Sequence, residues 1–145
     1  MIKFLRAAGC AGLLLLAAPW SAANSEANPA EKAQGVFTRA QALRGRDLYA
    51  AHCAACHADN LAGIGPALPL AGGVFQSKWA AQSVFDFYQR VRTTMPQSAP
   101  GSLGPDVYSA IVAFILRANN FPTGGAELVG DSPGARQAPM TGGKP

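Results

Sequence analysis

Metal-ligating side chains are scarce in this sequence, which has 3 cysteines, 2 histidines and 3 methionines among 145 residues. A structural zinc site needs four ligands, usually from two separate Cys or His pairs, and no second pair accompanies Cys53, Cys56 and His57. The other histidine, His52, abuts Cys53 and is badly placed to share a tetrahedron with His57. Charge is thin as well, with 14% Asp, Glu, Lys and Arg and 12 basic against 8 acidic side chains. Two of the basic ones, Lys3 and Arg6, sit at the extreme amino terminus. What remains gives no dense basic patch, so nucleic acid is not an expected partner. Arg39, Arg44 and Arg46, and then Arg90 and Arg92, read first as solvated helix faces. No apolar run reaches the roughly 20 residues of a membrane-spanning helix. No stretch alternates like a strand, and no internal repeat is visible.

The amino terminus has the pattern of an export signal. Lys3 and Arg6 precede the apolar run Ala7 to Ala18, and Ser21-Ala22-Ala23 supplies small residues for cleavage after Ala23. Residues 1–23 are therefore expected to be a signal peptide and the mature protein periplasmic, with no stable membrane insertion after cleavage. Cys10 falls inside this segment without an apolar run before it, so no lipid anchor is expected there. Cleavage leaves Cys53 and Cys56 as the remaining cysteines in a compartment where a spare thiol would compete for disulfides.

Those two cysteines open Cys53-Ala54-Ala55-Cys56-His57, the C-x-x-C-H spacing of a c-type haem attachment site. Each thiol can form a thioether to a haem vinyl group, and the adjacent imidazole can reach the iron. Cys53 and Cys56 are the expected covalent anchors and His57 the proximal ligand. A thioredoxin-like pair would follow a strand, whereas Arg39 to Ala51 is rich in Ala, Leu and Arg and reads as helix. With no second C-x-x-C-H, one covalent haem c is expected.

Helix signals place the motif in an all-α domain. Thr38 and Gln41 form a T-x-x-Q capping box, and Gly45, Leu48, Tyr49 and His52 share one face of the helix leading to Cys53. A second helix is expected from near Ser77, with Val84, Phe85, Tyr88 and Val91 apolar, ending before Met95-Pro96. A third follows Gly104-Pro105-Asp106, buries Val107, Ile111, Phe114 and Ile115, and stops at Asn119-Asn120. Residues 24–36 read as a flexible amino-terminal extension, 37–122 as the packed domain, and 123–145 as a disordered Gly- and Pro-rich tail. The glycines and prolines of Asn60 to Gly73 let backbone approach a flat cofactor. A metal-bound histidine usually donates its second ring N–H to an acceptor, and the Pro66 carbonyl is the candidate for His57.

The sixth iron position separates electron transfer from catalysis, because a second strong ligand closes the metal to substrate. Met1 lies in the signal segment and Met140 in the tail, which leaves Met95, held at a helix stop in Thr94-Met95-Pro96. His/Met ligation suits a one-electron carrier rather than an enzyme. The alternative is a haem enzyme or gas-binding protein with an open or labile sixth site.

These residues resemble the monohaem c-type cytochromes of the cytochrome c fold over about Thr38 to Pro122. The resemblance implies a small helical fold around one haem, with His57 and Met95 as axial ligands. It also implies that Gly45 packs against Tyr108 or Phe114, that the Pro66 carbonyl orients His57, and that Trp79 lies near a haem propionate. The segment Thr94 to Leu103, with Tyr108 and Ala113-Phe114-Ile115-Leu116, looks like the cytochrome domains accompanying periplasmic quinoprotein dehydrogenases that use pyrroloquinoline quinone. That likeness implies a periplasmic dehydrogenase as electron donor and a cytochrome or terminal oxidase as acceptor. Where the family commonly has glycine, this chain has Ala58 after the haem histidine and Asn120 in the last helix stop.

Overall fold

The structure, a computed structural model, describes residues 35–141, so the signal segment and most of the amino-terminal extension lie outside the described residues. Helices α1 (Arg39–His52), α2 (Ala54–His57), α3 (Gly73–Trp79), α4 (Val84–Thr94), α5 (Pro105–Ala118) and α6 (Pro133–Gln137) follow in order, with no strand among the described residues. The all-α expectation holds.

The principal packing is α1 against α5, and Gly45 sets how closely they approach. A Cβ at Gly45 would run into the carbonyl of Ala110 and lie 3.1 Å from Cβ of Phe114. The Tyr49 and Phe114 rings then pack at 5.1 Å between the same two helices. Phe114 thus meets the glycine as the resemblance implied, whereas Tyr108 is used elsewhere. Helix α5 is buried around most of its circumference, including Tyr108, Ser109, Ala110, Ile111, Val112, Ala113, Ile115 and Leu116. Of the expected stripe Ile111 and Ile115 are buried and Val107 and Phe114 half-buried, and burial extends further because α5 has neighbours on several sides: α1, α4 and the carboxy-terminal segment.

The single helix expected from near Ser77 and ending before Met95-Pro96 is two. Helix α3 stops at Trp79, and Ser83 starts α4 with a reciprocal capping box, Asp86 N donating to Ser83 Oγ at 3.2 Å and Ser83 N to Asp86 Oδ2 at 2.8 Å. A Ser-x-x-Asp box satisfies two orphan amides and so begins a helix wherever it falls. Those bonds to Ser83 hold the Asp86 carboxyl below its ordinary pKa of 3.8. A folded pKa below the unfolded value contributes stability above that value, and the contribution is lost as pH falls through the folded pKa. Asp86→Asn should therefore be less stable than wild type at neutral pH in urea unfolding. The gap should close as pH drops below the ordinary carboxylate range, and a pH-independent gap would contradict the charge assignment.

The expected disordered tail is corrected over residues 123–141, which pack on the domain. Leu128, Ala135 and Met140 are all buried. Gln41 supplies one anchor: its Nε2 donates to Leu128 O at 2.8 Å and its Oε1 accepts from Leu128 N at 2.7 Å. The Gln41 side chain therefore does not return to the Thr38 backbone, and only the Thr38 half of that capping box forms, with Gln41 N donating to Thr38 Oγ1 at 3.1 Å. Further along, Ala138 O accepts from Val84 N at 2.9 Å, Met140 N donates to Gln82 O at 2.9 Å, and Arg136 lies over the Phe85 ring at 3.6 Å. Glycine and proline misled here because Gly130 is a close-approach residue: a Cβ there would strike the Tyr88 ring.

Candidate functional site

Helix α2 is the haem motif itself, one turn spanning Ala54–His57 with Cys53 as its N-cap. Cys56 N and His57 N both donate to Cys53 O, at 3.1 and 2.9 Å, which holds Cys53, Cys56 and His57 on a single turn. The chain then folds back over that turn, Gly63 N reaching His57 O and Ile64 N reaching Cys56 O, both at 2.9 Å. Ala58 makes the reversal possible at φ 61°, a left-handed conformation that costs a residue with a side chain. Its carbonyl accepts from Tyr49 Oη at 2.7 Å, tying the turn to α1. Asn120 has φ 62°, so both positions where this chain departs from the family glycine are left-handed.

His57 is 9% exposed, and its Nδ1 lies 3.0 Å from the carbonyl oxygen of Leu68. A carbonyl oxygen only accepts, so Nδ1 carries the proton and Nε2 keeps its lone pair for a metal. This corrects the choice of Pro66: the orienting carbonyl belongs to Leu68, and Pro66 itself is exposed. The acceptor is displaced within the same loop because the bonds from Gly63 and Ile64 fix how the chain leaves α2.

Cys53 and Cys56 form no disulfide with each other. Burial first, and the neighbouring Cys56 second, push the Cys53 thiol up to about 11. A thiol that attacks disulfides is tuned the other way, toward the thiolate, so Cys53 is not suited to be the attacking member of a dithiol pair. Burial, followed by Cys53 and Asp59, likewise pushes the Tyr49 phenol up to about 12, which keeps its proton on the bond to Ala58.

Asn119, which the sequence reading used only as a helix stop, fixes the far end of the loop that carries Leu68. It is 1% exposed; its Nδ2 donates to Leu70 O and Ile115 O, both at 2.9 Å, and its Oδ1 accepts from Gly72 N at 3.0 Å. A polar residue ending an otherwise apolar helix was the available signal. Trp79 is 6% exposed and sits edge-on to Phe87, ring centroids 4.8 Å apart, in a cluster with Phe75. Met95 caps α4 and packs half-buried against the core. A groove of about 520 Å³ bounded by Gln41, Arg44, Leu48, Val107, Leu128 and Val129 contains none of the candidate donors.

A family model described as cytochrome c oxidase, cbb3-type, subunit III matches residues 40–115, just over half of the chain. The chain belongs to this family of c-type cytochromes. No protein of curated function matches the cytochrome significantly. Among solved structures, it is similar to the sulfane dehydrogenase SoxCD from Paracoccus pantotrophus, at 26% identity over 59% of this chain and 45% of that chain, with a TM-score of 0.44. The cytochrome therefore spans less than half the length of the chain it matches.

Membership implies haem c and electron transfer, and the residues fit that group. Two thiols and an imidazole with a free Nε2 share one turn. Ile64, Leu68 and Val74, in and just beyond the adjoining loop, expose 55%, 51% and 61% of their surface. Such apolar side chains suit a flat macrocycle better than water. Haem c would be held covalently by Cys53 and Cys56 and through its iron by His57.

Proposed function

We propose that this cytochrome is a periplasmic one-electron carrier with a single covalent haem c, ligated by His57 and Met95. The observation that carries the reading is the one-turn motif in which the Leu68 carbonyl holds Nδ1 and so frees Nε2 of His57. Haem c, when bound, supplies reversible one-electron chemistry at iron. The chain's own part is to anchor the ring through two cysteines, fix the imidazole tautomer and present a thioether. Leu68 stabilises the electron-rich imidazole, and Met95 favours the reduced metal, which suits a carrier of high potential.

Export is proposed from Lys3, Arg6 and the apolar run before Ala23. A periplasmic dehydrogenase as donor is proposed from the likeness of Thr94 to Leu103 to the cytochrome domains that accompany quinoprotein dehydrogenases. A cytochrome or oxidase is the proposed acceptor. Trp79 serving a haem propionate belongs to the same proposal.

Met95→Ala tests the ligand set. The near-infrared sulfur-to-iron band of the oxidised protein should vanish, the potential should fall, and the reduced form should bind carbon monoxide quickly. An unchanged spectrum would remove Met95 from the iron. A wild type that is already high-spin and binds carbon monoxide would favour a ligand-binding or peroxide-reactive haem protein.

A further inference from the structure

The loop after α4 begins at Met95 and re-enters the core at Leu103, and one buried hydroxyl joins its two ends. Tyr108, in the first turn of α5, is 1% exposed. Its Oη donates to Met95 O at 2.7 Å and accepts from Leu103 N at 3.3 Å. Residues 97–102 between them are exposed and hold only short internal turns, Ala99 N to Pro96 O at 2.9 Å and Ser102 N to Ala99 O at 3.2 Å. On its other side Met95 is fixed by its own N–H, which donates to Val91 O at 2.9 Å. The backbone of Met95 is thus clamped from both directions, by the end of α4 and by α5.

Phenylalanine would fill the same space in the core, so packing does not explain the hydroxyl. A buried hydroxyl is costly unless it is hydrogen-bonded, and both bonds of this one go to a single loop. We propose that Tyr108 is the positioning residue for the sixth iron ligand, closing the 95–103 loop so that the Met95 thioether stays on the metal. This rests on the reading of Met95 as a ligand. Without the clamp the loop opens more often, and an added ligand competes better for the iron.

The test is a titration of the oxidised holoprotein with imidazole, followed through the near-infrared sulfur-to-iron band. Tyr108→Phe should keep the band when no imidazole is present and bind imidazole about fivefold or more tightly than wild type, as expected when a loop-closing hydrogen bond is lost. Gln41→Ala, which releases the carboxy-terminal segment far along the chain, should lower overall stability and leave imidazole affinity at the wild-type value. The proposal is overturned if Tyr108→Phe binds imidazole like wild type, or if Gln41→Ala tightens binding equally. A wild type without the sulfur-to-iron band overturns the Met95 assignment and this inference together. A wild type that has the band, with unchanged Tyr108→Phe binding, overturns this inference alone.

Discussion

Gly45→Ala should cost about 3 kcal/mol, the upper end of the overpacking range, because the methyl group would meet backbone rather than a movable side chain. The obstacle is the Ala110 carbonyl on α5, with Phe114 Cβ behind it at 3.1 Å. Neither can swing away while α1 and α5 stay in contact, so the helices must separate and the tilted Tyr49–Phe114 ring contact, at 5.1 Å, must open. A small domain has only about 5–15 kcal/mol of stability to lose. The helix propensity gained by replacing a mid-helix glycine, about 1 kcal/mol, offsets only part of the overpacking cost. Denaturant unfolding of the holoprotein would measure the change as a lowered midpoint with unchanged slope. Gly134→Ala is the control: its Cβ would meet nothing closer than Ser132 Oγ at 3.8 Å, and it should move the midpoint little. Equal effects of the two substitutions would refute close approach as the reason for glycine at position 45.

Legibility in the sequence followed the locality of the signal. The haem motif, the Thr38 N-cap, the Gly104-Pro105 start of α5 and the stop at Asn119-Asn120 are each encoded within a few residues, and the structure places the last three as expected. The split between α3 and α4 was equally local, in Ser83 and Asp86, but the apolar pattern from Val84 onward hid a break that lies in the capping chemistry. The carboxy-terminal segment is not legible as packed structure because its anchors are distant in sequence. Gln41 and Leu128 are 87 residues apart, and no composition rule reveals that a helix-start glutamine will bond a segment after the last long helix.

The site shows the same division. The proposed roles of Cys53, Cys56 and His57 rest on spacing alone, whereas the acceptor for His57 depends on how the loop from Asn60 to Gly73 folds back. That path is set by backbone bonds from Gly63 and Ile64 and by Asn119 across 47 and 49 residues. A proline marked the correct loop without marking the correct carbonyl. Tyr108 reads in the sequence as a possible packing partner for Gly45, and its hydroxyl, which packing arguments ignore, is what the fold uses.

Replacing both anchors, Cys53→Ala with Cys56→Ala, should turn a haem that acidified organic solvent cannot extract into one that it removes completely. Each single replacement should leave the other thioether, so the haem of either single variant should still resist extraction. The double variant would depend on His57, Met95 and apolar contact alone, and its haem could leave. A group that binds only the folded state stabilises by mass action, about 2.7 kcal/mol at a hundredfold excess over its dissociation constant. Stability of the double variant should therefore rise with added haem, whereas wild type should show no such dependence. Loss of the ring would also expose the turn around His57, leaving it to its backbone bonds and the Tyr49 hydroxyl. Helix α2 is four residues long, and Ile64, Leu68 and Val74 beside it and at the start of α3 are more than half exposed. The α1–α5 contact involves none of these residues, so helical signal should survive in part while the region around His57 becomes protease-sensitive first. Haem that still resists extraction in the double variant would mean that the covalent anchors lie elsewhere.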